Sequence, residues 1–205
     1  MSELIKSFVT LDKDGGSGNG TVTARANSNN TGRVARQVVL TFSAVNVTPS
    51  ERTIIQRGKG EATSIQATAA AQKTGQTLTL TGTSNSKKLT FSKGTDNIGL
   101  TIPSTYLANT VETNNGAAIA GDPGATAEYP FSIQFAVPAN ADIDPKTCQI
   151  VVTDEGGNAY TCVITLAAGD AYLTVGQPSG ELNWDGSNTV TIAVQSNTNW
   201  YIPTE

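Results

Sequence analysis

The feature that most constrains this chain is a rhythm: short β-branched or alternating apolar runs recur about every ten residues, each cut off by Gly, Asn, Asp or Pro. Alternation with a period of two puts one set of side chains on one face of a pleated ribbon, and the punctuation keeps the runs below helical length. The clearest runs are Gly20 to Asn27, Arg36 to Ala44, Arg52 to Gln56, Thr77 to Thr83, Lys88 to Ser92, Tyr129 to Val137, Thr147 to Thr153, Tyr160 to Leu166 and Val190 to Gln195. Such spacing predicts antiparallel sandwiches and not alternating strand–helix units. The Ala-rich stretch Thr63 to Gln72 carries β-branched Thr and Ile and no caps, so it reads as a linker running into a strand. The expected fold class is all-β.

At 205 residues the chain has room for two domains of ordinary size, each able to bury its own core. Composition shifts near Gly58-Lys59-Gly60 and again near Ala168-Gly169-Asp170, which divides the chain into residues 1–60, 61–170 and 171–205. The middle segment, about 110 residues long, holds enough strands for one complete immunoglobulin-like sandwich.

Several function classes are disfavoured at this level. A formal charge of −4 and a pI near 4.8 give no electrostatic reason to approach nucleic acid or an anionic membrane. No apolar stretch approaches the ~20 residues a membrane-spanning helix needs. The start Met1-Ser2-Glu3-Leu4-Ile5-Lys6 does not lead into the apolar segment of a secretory signal, so the chain reads as made and left in a cytoplasm. The sequence contains 0 histidines, which removes the commonest general base and metal ligand. Asp142/Asp144 and Asp154/Glu155 are the carboxylate pairs available for glycosidase chemistry, and both read as ordinary turn acids. No catalytic residue is assigned.

Asp12-Lys13-Asp14 opens like a calcium loop but lacks the Gly and Glu such a loop places at its sixth and twelfth positions, and Gly16-x-Gly18-x-Gly20 opens into a strand and not a helix. No metal or other cofactor is expected. Cys148 and Cys162 flank the turn Asp154 to Asn158; a disulfide requires a hairpin register that sets them opposite each other, and the favoured reading is two reduced, buried thiols.

The run Gly16-Ser17-Gly18-Asn19-Gly20-Thr21-Val22-Thr23-Ala24, then Ala26-Asn27, Gly32-Arg33, Arg36 and Ile54-Ile55-Gln56-Arg57-Gly58, resembles the second half of a BACON domain. Tyr172-Leu173-Thr174-Val175, Leu182-Asn183-Trp184, the alternation Thr189 to Val194 and Ser196-Asn197-Thr198-Asn199-Trp200-Tyr201-Ile202 resemble its first half, so the order is inverted. The two segments together hold roughly 95 residues, the size of one small sandwich. Two geometries complete that domain: closure within one chain as a circular permutation, with Met1 and Glu205 close together, or pairing of one subunit's C-terminal segment with its neighbour's N-terminal segment. The resemblance extends to modules of secreted gut Bacteroidetes enzymes, thought to bind carbohydrate or mucin, and to virion proteins of phages infecting those bacteria. The middle segment, with Thr81 to Phe91, is similar to the Ig-like repeats of such virion proteins.

The resemblance implies a non-enzymatic virion protein of a crAss-like phage, most similar to an auxiliary (decoration) protein on the capsid surface. A fibre or tail protein and a stand-alone carbohydrate-binding adhesin are the alternatives. The implied partners are the major capsid protein or other virion proteins, with mucin glycans as a second class and self-association left open. Candidate contacts are Tyr201 and Tyr172 among the aromatics and Arg33, Arg36 and Arg57 in the basic N-terminal segment, where Arg forks hold carboxylates. Trp184 and Trp200 read as core plugs, and Tyr201, next to Trp200 on a strand, faces the opposite way.

Overall fold

The structure is a computed structural model describing residues 2–176 and 179–204. It is all-β, and its strands fall into three groups along the chain. The first holds β1 (Leu4–Lys6), β2 (Val9–Leu11), β3 (Ala24–Ala26), β4 (Arg36–Ala44) and β5 (Val47–Gln56). The second holds β6 (Thr63–Ile65), β7 (Thr68–Ala71), β8 (Gln76–Ser84), β9 (Leu89–Asp96), β10 (Thr105–Ala108), β11 (Val111–Asn114), β12 (Tyr129–Val137), β13 (Lys146–Asp154) and β14 (Ala159–Leu166). The third holds only β15 (Leu173–Val175) and β16 (Val194–Ser196). No helix among the described residues is long and apolar enough to cross a membrane.

The second group closes on itself as a sandwich. A five-stranded sheet in the order β11-β10-β12-β8-β6 faces a four-stranded sheet in the order β7-β14-β13-β9. Strict alternation selects the inward faces: Tyr129, Phe131, Ile133, Phe135 and Val137 of β12 are buried while the residues between them are half-buried or exposed. Cys148, Ile150 and Val152 of β13 and Cys162, Ile164 and Leu166 of β14 supply the other sheet. Each large side chain buried here contributes about 2 kcal/mol. Aromatic edges interlock at the centre, with the Phe91 ring 5.0 Å from Tyr106 and 5.8 Å from Phe131.

The stretch Thr63 to Gln72, read from sequence as a linker, forms two strands that belong to opposite sheets. β6 pairs antiparallel with β8, and after Gln66-Ala67 the chain crosses over so that β7 pairs parallel with β14. The β13–β14 hairpin sets Cys148 opposite Ile164 and Cys162 opposite Ile150, so the thiols are out of register, and both are buried and free. Burial pushes the Cys148 thiol up to about 12.

A single acidic turn stitches β9 to the following loop. Asp96 Oδ1 accepts hydrogen bonds from the Ile98 amide at 3.0 Å and the Gly99 amide at 2.9 Å, while Oδ2 meets Lys93 Nζ at 2.7 Å. Burial alone raises the pKa of this carboxyl, but the donors outweigh it and hold the group at about 2. A carboxylate with a depressed folded pKa stabilises the fold above its unfolded value and loses that contribution as pH falls toward the folded one. The melting temperature is therefore expected to hold above about pH 5 and to fall between about pH 4 and about pH 2, and Asp96→Asn is expected to be less stable at neutral pH with a shallower acid slope. Thermal melts of both proteins followed by circular dichroism across that range check this; parallel slopes exclude the assignment.

Candidate functional site

Apolar burial is unevenly shared among the three groups. Twenty buried hydrophobic residues belong to the central sandwich and four, Phe8, Val9, Leu11 and Leu40, to the N-terminal group. No buried hydrophobic residue lies among the described residues of 171–204. The features that distinguish this chain from a plain sandwich are therefore two sheet assemblies that have not closed a core.

In the N-terminal group, β1-β2-β3 forms a three-stranded sheet and β4–β5 a separate hairpin. Val38 pairs with Ile54, and both pack with Leu40 on the small core. Phe42 continues the same face two residues beyond Leu40 but is exposed, so the cover stops where the apolar face does not. The Gly-rich loop 13–22 stands off from β4 and leaves a trench along Leu40 to Ser43, with Leu4, Leu11 and Val22 also lining it. Within the run Gly20 to Asn27, only Ala24–Ala26 is paired as a strand.

The loop's acids have local partners: Asp12 Oδ1 accepts from the Thr23 amide at 2.8 Å, and Asp14 Oδ2 from Ser2 Oγ at 2.7 Å. Among the described residues no cluster of three or more His, Cys, Asp or Glu side chains is arranged to hold a metal ion.

The N-terminal group is seated on one end of the central sandwich by Asn85, which is fully buried. Its Nδ2 donates to the Thr31 carbonyl at 3.0 Å and the Gly60 carbonyl at 2.5 Å, and its Oδ1 accepts from the Ala62 amide at 2.7 Å. The Asn85 carbonyl in turn accepts from Arg33 Nε at 2.6 Å. Arg33 also pairs with Asp122, and that bond holds its pKa above the ordinary value. Backbones approach so closely here that a Cβ at Gly32 would collide with Thr126, and one at Gly124 with the Asn85 carbonyl.

The C-terminal group leaves the opposite end. Asn197 Nδ2 donates to the Ala141 carbonyl at 3.0 Å and the Asp170 carbonyl at 2.8 Å, and Lys73 pairs with Asp170. These anchors lie beside the Gln76–Val137 end of the β8–β12 ladder, whereas Asn85 follows its Ser84–Tyr129 end. A nine-residue strand separates the two ends by roughly 27 Å. β15 and β16 pair only with each other. The arrangement within this chain is thus one closed sandwich with two small assemblies at its two ends, and among the described residues those after 170 complete no sheet with those before 61.

This geometry sorts the residues singled out from sequence. Arg33 is not a surface contact: its side chain is only 17% exposed and is consumed by the junction. Arg36 lies over the Phe8 ring at 4.5 Å and bonds Gln56 Oε1 and the Ser28 carbonyl, each at 2.8 Å. Arg57 is exposed and remains available. Tyr172 is 52% exposed and Tyr201 83%, as a contact role requires. Trp184 and Trp200, read as core plugs, are 99% and 51% exposed, because none of the described residues covers their segment.

The structure does not bring Tyr201 and Tyr172 together with Arg36 and Arg57, since they sit on opposite ends. Asp154 is spent on its own turn, accepting from the Asn158 amide at 2.9 Å, and Asp142 pairs with Lys146 at 2.6 Å. Asn85, the residue that matters most at the junction, gave no signal beyond an ordinary turn asparagine.

No protein-family model matches the chain, and no curated protein matches it. Among solved structures, an endo-fucoidan hydrolase from glycoside hydrolase family 107 aligns at 12% identity and a TM-score of 0.31, over 81% of this chain and 23% of that one. The chain therefore spans less than a quarter of that enzyme's length, and a likeness this slight carries no inference about activity.

Removing the junction amide is expected to strand two carbonyls and an amide at a half-buried junction. Asn85→Ala should cost about 2–4 kcal/mol of junction stability and release the N-terminal group while the sandwich stays folded. Limited proteolysis checks this: new cleavage confined to residues 57–62 is the expected result, and an unchanged digest contradicts it.

Proposed function

We propose that this protein is a non-enzymatic structural module of a phage particle, decorating the capsid surface through its Ig-like sandwich. The observation that carries the reading is the build: one closed sandwich flanked at both ends by sheet assemblies whose apolar faces are uncovered. Exposed strand edges and apolar faces invite pairing, and a module of this kind is finished by contact with other proteins. Carboxylates that glycosidase chemistry would need are instead engaged in turns and surface ion pairs. The resemblance of the flanking segments to BACON-like domains of virion proteins points to the major capsid protein or other virion proteins as partners, and to assembly after synthesis in the host cytoplasm. Repetition on a symmetric shell multiplies weak individual contacts.

A second reading, as a carbohydrate-binding adhesin or a fibre or tail protein, draws on the exposure of Trp184 and Tyr201. Flat aromatic faces stack on pyranose rings, and mucin glycans are the natural ligands for such a platform.

The test is cosedimentation of the purified chain with shells assembled from the major capsid protein of a crAss-like phage, run beside binding to immobilised mucin glycans. Salt-sensitive cosedimentation without release of reducing sugar is expected, and Arg57→Glu should weaken it by about tenfold. Glycan binding that disappears in Trp184→Ala or Tyr201→Ala, with no cosedimentation, replaces this reading with the adhesin.

A further inference from the structure

We propose that the chain associates head to tail with copies of itself: residues 171–204 of one molecule cover the open trench and uncovered β4–β5 faces of the next. This goes beyond the capsid reading and does not rest on it.

Strand coding in the C-terminal segment is unmet. Thr189-Val190-Thr191-Ile192-Ala193-Val194 alternates as a half-buried strand must, yet only Val194–Ser196 is paired, with β15. The turn beyond it is ordered: the Gly186 amide donates to the Asn183 carbonyl at 3.0 Å, and Asn188 Nδ2 to the Glu181 carbonyl at 3.0 Å. A formed turn and a formed base with unladdered arms describe a hairpin lacking a sheet to join. The N-terminal group shows the reciprocal defect, since Thr21-Val22 lies outside any ladder beside the trench and Phe42 stands uncovered above it.

The two ends also differ in charge. Residues 1–60 carry eight Lys and Arg against four acids, whereas residues 171–205 carry three acids and no Lys or Arg. Opposite net charge favours the contact between unlike ends and disfavours contacts between like ones. The two assemblies are held at opposite ends of a rigid sandwich, so neither reaches the other within one chain, and a contact between unlike patches repeats without closing on itself. Size is consistent, since the two segments sum to roughly 95 residues, about one small sandwich.

The experiment uses the full chain. Light scattering from roughly 1 µM to roughly 500 µM should show molar mass rising with concentration past the dimer, and raising salt from about 50 mM to about 500 mM should reverse the rise. Both tryptophans of the chain, Trp184 and Trp200, lie in the C-terminal segment, so the rise in mass should coincide with a blue shift of the emission.

Two blocked variants then set polarity. Val190→Glu with Ile192→Glu disables the donor, and Val22→Glu with Phe42→Glu disables the acceptor. Each should be monomeric alone with an unchanged sandwich by circular dichroism. An equimolar mixture should double in mass and stop, because it retains one intact donor and one intact acceptor. A wild-type chain monomeric throughout overturns the proposal whatever the variants do. So does a blocked variant that still self-associates, which marks a symmetric contact between like ends, and so does a blue shift without a change in mass, which marks fold-back within the chain. Self-assembly without capsid binding leaves this inference standing and removes the capsid reading; capsid binding by a strict monomer does the reverse.

Discussion

The N-terminal group is seated on the central sandwich at a junction built around one buried asparagine and two backbone hydrogen bonds, Arg33 to Gly124 and Val34 to Ala125. Asn85 holds a carbonyl from each side of the N-terminal group, Thr31 and Gly60, and the first amide of the sandwich, Ala62, on a single planar group. A planar amide with no room to rotate fixes an angle as well as a contact, and its burial makes each bond costly to lose. Arg33 braces the same point by donating to the Asn85 carbonyl, and the glycines at 32 and 124 let the backbones approach closely enough for both. The uncovered faces are thus presented in a set direction from a rigid base.

That base is rigid because its apolar content is complete, and the flanking groups are open because theirs is not. In β12 every second side chain is buried from Tyr129 to Val137; in β4 the same alternation runs out of cover after Leu40. A strand needs both a hydrogen-bonding neighbour and something to lie on its apolar face, and sequence coding for one does not provide the other. Residues 188–193 have the coding and neither support.

The sequence was most legible where local pattern and final environment coincide. β4 and β12 have the bounds that their alternation announced, and the all-β class followed from rhythm alone. Short strands were missed for want of length: β10 and β11 offer four residues each, too few for a period to show. The pair β6 and β7 hid in an Ala-rich run because the change of sheet between them is a tertiary event. Arg33 was misread as surface because its acidic partner, Asp122, is 89 residues away. Trp184 and Trp200 were read as core plugs of a sandwich completed either within the chain or by a neighbour, and within the chain both stand exposed; local sequence does not name what would cover them. Tyr201 is exposed, but not through strand alternation, since residues 199–204 form no strand and Trp200 beside it is exposed as well; its distance from Arg57 followed only from the topology.

The crossover between β6 and β7 has a mechanical consequence. The chain enters the sandwich at the Asn85 end and leaves it after Leu166 at the other, and β7 lies parallel to β14, the strand from which it leaves. Tension applied between the two ends of the molecule therefore slides β7 along β14, loading the hydrogen bonds of that pair side by side in shear instead of peeling them one after another. A strand order set by the need to close an apolar core also makes the sandwich a load-bearing link along the axis that joins its two ends.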